Sequence, residues 1–439
     1  MHFSAAPHCV KLACQRRLGG GLTMNTAHPV LTVPAAAGVG LAPTQVGDRI
    51  VLLDVLRGWA ILGILAVNAM AFAWPFALET NSVTLPWMAA PANEWADWVV
   101  QVFFEHKFRT LFSMLFGVSI FLVGGERSDE ARGRLLRRRL FWLAVFGLIH
   151  GLALWFGDIL LLYAWSGVLM LFFRSWPPGR LLWVGGLIVG LGCLMEAGLG
   201  YATVNAGGEF ARQMEASRPE VTPEAIQGII DQYRSGLVGA LSANFANWLM
   251  LQFASLVFIV WGTLGLMMVG LGLFKTGFLT GRAPTWVYLL VLGIGAGNLA
   301  AFGWLEWREM VAGPDANVTG GLDRVAGSFA ILITLAYASG LILLTRLGVG
   351  AVTGVLAPVG RMAFTNYLTQ TLIMTTLFYM PWGPRLFGSV EPAPLWGIVG
   401  AVWVAQLIWS PLWLSRFQMG PLEWVWRCLT YGRWVPIRA

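Results

Sequence analysis

The sequence predicts an all-α, polytopic transmembrane helix bundle of about ten helices, and two observations carry this prediction. Of its 439 residues, 57% are hydrophobic and 12% are charged, which is about half the charged fraction of an average globular domain. Apolar runs long enough to cross about 30 Å of hydrocarbon recur along nearly the whole chain. Barrel strands would alternate polar and apolar residues, so we expect the spans to be helices.

The predicted spans follow one another with short polar breaks between most of them. An even number of spans places the N- and C-termini on one side. That side has arginine-rich breaks, with six arginines within 124–139, so the positive-inside rule predicts cytoplasmic termini. The longest opposite break, 204–245, is acidic and is predicted to be an outer loop. The ten spans cover residues 51–73, 98–123, 140–156, 159–173, 181–203, 246–274, 285–305, 325–345, 362–380 and 394–414.

Two tails flank the transmembrane domain, which we expect to cover residues 49–414. Residues 1–48 hold basic residues and a glycine run instead of the apolar core of a signal peptide, so they are predicted to be a disordered tail. Met24 is a possible true start. Residues 415–439 are predicted to form a cytoplasmic tail with a short interfacial helix, whose tryptophans lie at headgroup level.

Composition and charge also limit the classes of molecule that the protein is predicted to bind. The net charge of +7 is concentrated in short loops that membrane topology already explains, so the sequence does not predict nucleic-acid binding. The four cysteines show neither a disulfide framework nor metal-ligand spacing, and neither a metal nor a resident cofactor is predicted. The expected partners are the lipid bilayer and a small-molecule, glycan or lipid substrate, while the oligomeric state stays open.

The first predicted span carries three polar side chains that are costly in hydrocarbon. Asp54 and Arg57 lie at its cytoplasmic end, and Asn68 lies about 16 Å deeper along a helix. Intramembrane polar groups are expensive unless they face a protein interior. The segment is therefore predicted to line a functional site, with Asp54 and Arg57 at its cytoplasmic mouth.

The third and fourth spans form a short hairpin that meets at Gly157-Asp158. The third span rises only about 24 Å from Leu140 to Trp155, which is less than the hydrocarbon thickness. We therefore expect the hairpin to turn inside the bundle, with Asp158 below the outer headgroups. Polar backbone at that depth is found where it lines a cavity or is buried in protein.

His150 is the candidate general base, because it is the only histidine predicted to lie near the bilayer middle, about 16 Å from the cytoplasmic edge at Arg139. Asn68 is predicted to lie at the same depth. A buried neutral imidazole can take a proton near neutral pH. Asp158 could orient it, although a straight helix would put the two about 12 Å apart, so contact is expected only if the hairpin bends. The alternative role for His150 is a structural hydrogen bond between helices.

Two further spans carry candidate substrate-binding residues. Lys107 lies in a charged segment near the outer interface, which is either a snorkelling pair of interfacial charges or a collar at the mouth of a cavity. The ninth span has Arg361 at its cytoplasmic end, and Asn366 and Gln370 lie four residues apart on one face. These amides either bond neighbouring helices or form a second wall of the same cavity.

Five motifs in order resemble the YeiB-like family of bacterial inner-membrane proteins, over about residues 49–432. This resemblance implies a multi-pass protein of the bacterial inner (cytoplasmic) membrane and no settled activity. The motifs are Arg49 through Asn68, Lys107 through Gly117, Gly147 through Gly151 with Gly157 through Leu161, Val359 through Tyr367, and Gly420 through Trp424.

The first of these motifs is also similar, more distantly, to the first helix of transmembrane acyltransferases of the acyltransferase-3 and heparan-glucosaminide acetyltransferase types. That likeness implies acyl transfer from a cytoplasmic thioester donor. The acyltransferase-3 type has His where this chain has Asn68, whereas the acetyltransferase type has Asn. The catalytic His in the outer loop of the acetyltransferase type has no counterpart between Trp74 and Trp98.

Three functions remain open at this stage. An acyltransferase would use His150, Asp158 and Asn68 in catalysis, with an acyl-CoA-like co-substrate whose phosphates contact Arg57, Arg361 and the arginine cluster 137–139. A secondary transporter of a small solute would use His150, Asp158, Asn68 and Gln370 as a midplane site. A scaffold without chemistry would leave these groups as packing.

Overall fold

The computed structural model describes residues 50–80, 85–205, 222–313 and 317–438, and within these ranges the chain forms helices and no strand. The predicted tail, residues 1–48, lies outside the described residues, as does Met24. The helices are α1 (Val51–Ala73), α2 (Pro91–Val99), α3 (Lys107–Gly124), α4 (Glu130–Ala153), α5 (Leu160–Met170), α6 (Pro178–Asn205), α7 (Pro223–Arg234), α8 (Leu237–Ala254), α9 (Val260–Lys275), α10 (Thr285–Ala312), α11 (Leu322–Ser328), α12 (Ala330–Arg346), α13 (Gly350–Arg361), α14 (Ala363–Phe378), α15 (Pro392–Leu414) and α16 (Pro421–Tyr431), with one-turn helices at Ala77–Thr80 and Pro86–Ala89.

Several of these helices are long and apolar enough to cross a bilayer, so the predicted all-helical membrane bundle is confirmed. Single π-helical turns, Val100–Phe104 and Ser255–Ile259, follow α2 and α8 and continue them toward the next helix. A further candidate is the pair α11 and α12, which bends by 49°. The six unbent candidate spans are Val51–Ala73, Pro91–Gly124, Pro178–Asn205, Leu237–Lys275, Thr285–Ala312 and Pro392–Leu414.

Three other predicted spans correspond to helices that do not meet these criteria alone. Helix α5 has 11 residues and α14 has 16, which are lengths of about 16 and 24 Å. Helix α4 begins ten residues before the predicted span, inside the arginine-rich segment. The number of crossings and the side of the termini therefore stay predictions.

Helix α1 lies at the centre of the bundle and packs most closely against α13. A Cβ atom on Gly58 would lie 2.1 Å from the carbonyl oxygen of Leu356, and one on Gly360 would lie 1.9 Å from the carbonyl oxygen of Asp54. Only glycine allows two helix backbones to approach this closely. The contact brings the neighbouring Arg57 and Arg361 to the same end of the bundle.

The last helix, α16, closes that end. Trp426 donates its indole N–H to the carbonyl of Arg139 at 3.0 Å. Glu423 accepts hydrogen bonds from the backbone N–H groups of Phe364 and Thr365, at 2.7 and 3.1 Å, and therefore caps the first turn of α14. Burial raises the pKa of the Glu423 carboxyl, and the hydrogen bond from the Thr365 hydroxyl acts in the opposite direction.

Candidate functional site

The hairpin between α4 and α5 folds back on His150. Helix α4 ends at Ala153, and the N–H groups of Leu154 and Trp155 both bond to the His150 carbonyl, at 3.0 and 2.9 Å. Asp158 Oδ1 then lies 2.9 Å from His150 Nδ1. The straight-helix separation of about 12 Å does not apply, because the helix stops three residues after His150 and the chain turns. The expectation that the hairpin turns inside the bundle agrees with Asp158 being buried.

Asp158 is held by the start of the next helix. Its carboxylate accepts the N–H groups of Leu160 and Leu161, at 3.1 and 2.8 Å, and so caps the N-terminus of α5. The hairpin reaches α4 because position 147 is glycine, where a Cβ would lie 2.5 Å from the Leu161 nitrogen. The His150–Asp158 contact is therefore fixed by a helix cap and a close backbone approach.

These contacts assign the hydrogen positions on the imidazole. Two backbone N–H groups already donate to Asp158, which therefore acts as the acceptor, and His150 Nδ1–H donates to it. In the neutral form of the ring the second nitrogen, Nε2, carries the lone pair, and it lies 2.9 Å from Oγ1 of Thr371 on α14. His150 thus lies between a carboxylate and a hydroxyl, with 1% of its surface exposed.

Aromatic rings wall this group off from solvent. The Tyr367 ring lies 5.2 Å from the His150 ring, and the Trp155 ring lies 6.4 Å from it, edge to face. Trp155 stacks in turn on Phe72 of α1, at 4.0 Å. A group in such surroundings interacts electrostatically with its partners more strongly than it would in water.

Asn68 stands apart from these contacts. It lies one turn before Phe72 on the same face of α1, which places it near the Trp155 wall. The Asn68 side chain is half-buried, and it makes no hydrogen bond to His150, Asp158 or any other part of the chain that the structure describes. Asn68 and His150 were predicted to lie at the same depth, but their side chains are not in hydrogen-bond contact.

Asn366 and Gln370 belong to a buried amide network that joins α14 to α1 and α15. Gln370 donates to the Ile61 carbonyl and to Gln406, at 3.2 and 2.9 Å. Of the two roles weighed for these amides, the contacts favour bonding between helices. In the same network Asn366 donates hydrogen bonds to Ser410 Oγ and to the Val359 carbonyl, both at 3.1 Å. Gln406 donates to the Asn366 carbonyl at 3.0 Å, and Trp409 donates to Asn366 Oδ1 at 2.8 Å.

Arginines gather at the end closed by α16, which we call the arginine end and define by Arg57, Arg139, Arg361 and Arg427. Arg57 pairs with Asp54 at 2.7 Å, and Arg361 donates to the carbonyl of Gln418 at 2.9 Å. The Arg139 guanidinium stacks on the Trp426 ring at 3.8 Å, and the charges of Arg427, Arg57 and Glu423 act on it. Four guanidinium groups thus stand with the two carboxylates of Asp54 and Glu423, a local excess of positive charge.

Lys107 supports a helix break. The chain leaves the helix at Glu105 and His106, where His106 has φ +62°, and resumes it at Lys107. Lys107 is 2% exposed, and its Nζ donates to the Gln101 carbonyl at 2.6 Å, while its own carbonyl accepts from Thr334 at 3.0 Å. These contacts satisfy backbone groups at the break, as a break within a membrane requires.

Sequence reasoning missed several residues that face the site. Thr371 and Trp155 lie outside the five motifs, although Thr371 follows Tyr367 of the fourth motif by one helical turn. Helix α8 also directs Asn244, Trp248 and Gln252 inward at four-residue spacing, and Asn244 donates to the carbonyl of Gly151 at 2.8 Å. That spacing was the signal that could have found them. Within the described ranges, no group of three or more His, Cys, Asp or Glu side chains could hold a metal ion.

Comparison with known proteins places the chain in a family. Residues 273–433 match the family described as "Protein of unknown function (DUF418)". The protein is 34% identical over 413 residues to "Uncharacterized protein YeiB" of Escherichia coli (strain K12), covering 87% of this chain and 96% of that protein. The chain belongs to the YeiB-like family. It is also 33% identical to "Uncharacterized protein YxaH" of Bacillus subtilis (strain 168), over 90% of this chain and 98% of that one.

The YeiB-like motifs meet in space. The first and fourth motifs pack through Gly58 and Gly360, and the fourth and fifth meet where Glu423 caps α14. The two parts of the third motif supply His150 and Asp158. No solved structure matches the chain significantly, so this arrangement is described from the present structure alone.

Proposed function

We propose that the protein is an acyltransferase of the bacterial inner (cytoplasmic) membrane. It would transfer an acyl group from a cytoplasmic acyl-CoA-like donor to a hydroxyl or amine acceptor in the membrane or beyond it. The observation that carries the proposal is the buried pair of His150 and Asp158. A carboxylate that orients an imidazole and leaves its second nitrogen as an acceptor is the arrangement that general-base catalysis needs.

The reaction exchanges one bond to the acyl carbon for another. His150 Nε2 takes the proton of the attacking hydroxyl or amine, whose oxygen or nitrogen bonds to the carbonyl carbon as the carbon–sulfur bond breaks. The proton then passes from His150 to the leaving thiolate, so the histidine returns to its neutral form. Asp158 stabilises the imidazolium between the two steps, because its negative charge lies beside Nδ1 in a water-excluded site.

The arginine end supports a phosphorylated donor. Guanidinium groups bind phosphate oxygens through paired N–H donors. The Asp54 carboxylate orients Arg57, and the carbonyl of Gln418 orients Arg361. Arg139 lies eleven residues before His150 on α4, about 16 Å along the helix, and the extended pantetheine arm of acyl-CoA can span that depth. The donor is then a co-substrate, and no resident cofactor is required.

The same arginines support the proposed location. Lys and Arg collect on the cytoplasmic side of bacterial membrane proteins. If the arginine end faces the cytoplasm, the donor pool and the proposed phosphate contacts lie on one side of the membrane. His150 then lies near the middle of the bilayer, between the donor and an acceptor that arrives from the membrane or from the opposite side.

Acyl transfer can be tested with the purified full-length protein. Wild type would be incubated with radiolabelled acetyl-, octanoyl- and palmitoyl-CoA, together with inner-membrane lipids and glycans as acceptors. We expect labelled product from wild type and a loss of about a hundredfold or more in His150→Ala. His106→Ala is the matched control, because His106 is exposed and lies at the helix break. Absence of transfer by well-folded wild type across the donor panel would contradict the proposal.

The helix breaks favour one alternative, secondary transport of a small solute. The break at Glu105–His106 and the bend between α11 and α12 are neighbours, because Thr334 of α12 bonds to the Lys107 carbonyl. Discontinuous helices surround the substrate sites of many transporters. Uptake of a solute into proteoliposomes, driven by a proton gradient and abolished in Asp158→Asn, would support transport over acyl transfer.

A further inference from the structure

The hydroxyl that faces His150 Nε2 belongs to the chain itself. Thr371 Oγ1 lies 2.9 Å from Nε2, whereas the helical carbonyl of Tyr367, its other acceptor, is 3.4 Å away. In the neutral imidazole, whose Nδ1–H donates to Asp158, Nε2 accepts and the Thr371 hydroxyl donates. A hydroxyl bonded to an imidazole, which is bonded in turn to a carboxylate, is the diagnostic arrangement of an activated nucleophile.

We propose that Thr371 carries the acyl group during transfer, as an ester on Oγ1. In the first half-reaction Oγ1 attacks the thioester carbonyl carbon, the carbon–sulfur bond breaks, and His150 passes the threonine proton to the leaving thiolate. In the second, His150 takes a proton from the acceptor, which attacks the ester, and returns that proton to Oγ1 as the carbon–oxygen bond breaks. The inference rests on the proposed acyltransferase function, which it extends from direct transfer to transfer in two steps.

The depth of Thr371 gives a physical reason for an intermediate. Through His150, its hydroxyl is held about 16 Å from the arginine end, where the proposed donor binds. An acceptor from the opposite side would have to meet that donor inside a closely packed bundle. An ester on Thr371 removes this requirement, because the two substrates can occupy the site in turn.

An unpartnered donor beside the histidine supports a carbonyl ligand. The Trp155 Nε1–H is buried and makes no hydrogen bond within the part of the chain that the structure describes. Its ring stands edge to face against His150, stacks on Phe72 and lies 5.5 Å from the Phe156 ring. The indole N–H groups of Trp59 and Trp248 are also buried without a partner among the described residues, so the support comes from the place of Trp155 beside His150. An N–H group beside the catalytic imidazole could stabilise the oxyanion that forms from an attacked carbonyl.

The competing explanation is that Thr371 only joins α14 to α4. The full-length protein would be incubated with radiolabelled acetyl-, octanoyl- and palmitoyl-CoA without acceptor, then denatured and digested, and the labelled peptide sequenced by mass spectrometry. Thr371→Val removes the hydroxyl and keeps the branched shape, whereas Thr371→Ser keeps the hydroxyl. Thr375→Val is the matched control, since Thr375 is equally buried one turn later on α14 and, among the described residues, its hydroxyl hydrogen-bonds only to the helical carbonyl of Leu372.

We expect hydroxylamine-sensitive label on residue 371 in wild type and Thr371→Ser. In Thr371→Val, both the label and the transfer rate should fall by about a hundredfold or more, as for loss of an activated nucleophile, whereas Thr375→Val should keep both. If Thr371→Val does not fold, the position of the label in wild type and Thr371→Ser decides. Transfer by wild type with no label on Thr371, or undiminished transfer by Thr371→Val, would overturn the covalent role and leave the acyltransferase proposal standing. Absence of any transfer by well-folded wild type would overturn both.

Discussion

His150 holds both ring nitrogens in hydrogen bonds inside a water-excluded site, so its partners rather than solvent set its proton positions. Asp158 fixes the tautomer from one side, and Thr371 occupies the free lone pair on the other. Asp158 is itself fixed by the first turn of α5. The reactive nitrogen is thus positioned by backbone geometry, which is the preorganisation that a base at mid-depth requires.

The role of Asp158 gives a prediction about catalysis. In Asp158→Asn the side chain has one acceptor oxygen for three N–H donors, so the imidazole loses the partner that fixes its tautomer and stabilises its charge. We expect kcat for acyl transfer to fall about a hundredfold or more, with KM for acyl-CoA unchanged. Initial-rate kinetics measure both, and Asp231→Asn, an exposed aspartate on α7, is the control. A change in KM alone would contradict a positioning role in the chemical step.

The site could be predicted from the sequence only in part. His150 and Asp158 stood out because ionisable residues are rare in apolar spans. Their contact could not be predicted, because the run Leu154-Trp155-Phe156 is apolar and gives no sign that α4 ends at Ala153. Thr371 was missed since a threonine within a helix is compatible with simple packing. The His150–Asp158 contact and Thr371 were missed for the same reason. Counting residues predicts how deep a side chain lies along a helix, but it does not predict where the helix ends or which neighbour the side chain faces.

At the scale of elements, the contact between α1 and α13 explains why two of the motifs contain a glycine next to an arginine. The glycines allow the backbones to approach, and this approach brings Arg57 and Arg361 to the same end of the bundle. The spacing in each motif therefore couples close packing with the placement of charge.

Because the two backbones are this close, adding a single methyl group at position 58 should destabilise the protein. Gly58→Ala would place a Cβ 2.1 Å from the Leu356 carbonyl oxygen, so the helices must separate. We expect a loss of about 1–3 kcal/mol in the free energy of unfolding, as for other overpacked cores. Gly186→Ala on α6 is the control, because a Cβ there has no neighbour within 4 Å. Thermal unfolding in detergent compares the two, and equal melting temperatures would contradict the packing argument.

Helix ends were harder to predict than helices. The second predicted span, 98–123, contains the break at Glu105–His106, where side chains of Lys107 and Tyr337 satisfy the carbonyls of Gln101 and Phe103. The sequence showed the charges in this segment but not that the backbone leaves the helix there. Tertiary hydrogen bonds make such a break possible, and local composition does not record them.

For the whole molecule, hydropathy predicted the class of fold because the bilayer sets helix length and excludes unpaired backbone. It could not predict the neighbours of each helix. Spans such as α5 and α9 are apolar around their whole circumference, so no polar face marks the side that meets lipid. The central place of α1 and the peripheral place of α6 and α10 became evident only from burial.

The orientation of the bundle remains a prediction with a direct test. If the arginine end faces the cytoplasm, green fluorescent protein fused after residue 438 should fluoresce, and alkaline phosphatase fused there should be inactive. Alkaline phosphatase inserted at Ser235, between α7 and α8, should be active. The reverse pattern would place the arginine end outside and would contradict a cytoplasmic donor.

Acyl transfer at His150 is tested most directly by a cryo-electron microscopy structure with a non-hydrolysable thioether analogue of acyl-CoA. We expect the analogue's phosphates to contact Arg57 and Arg361 at the arginine end, and the carbon that replaces the carbonyl to lie within reach of His150 Nε2 and Thr371 Oγ1. An analogue that binds with its acyl group away from His150, or that fails to bind at saturating concentration, would contradict it.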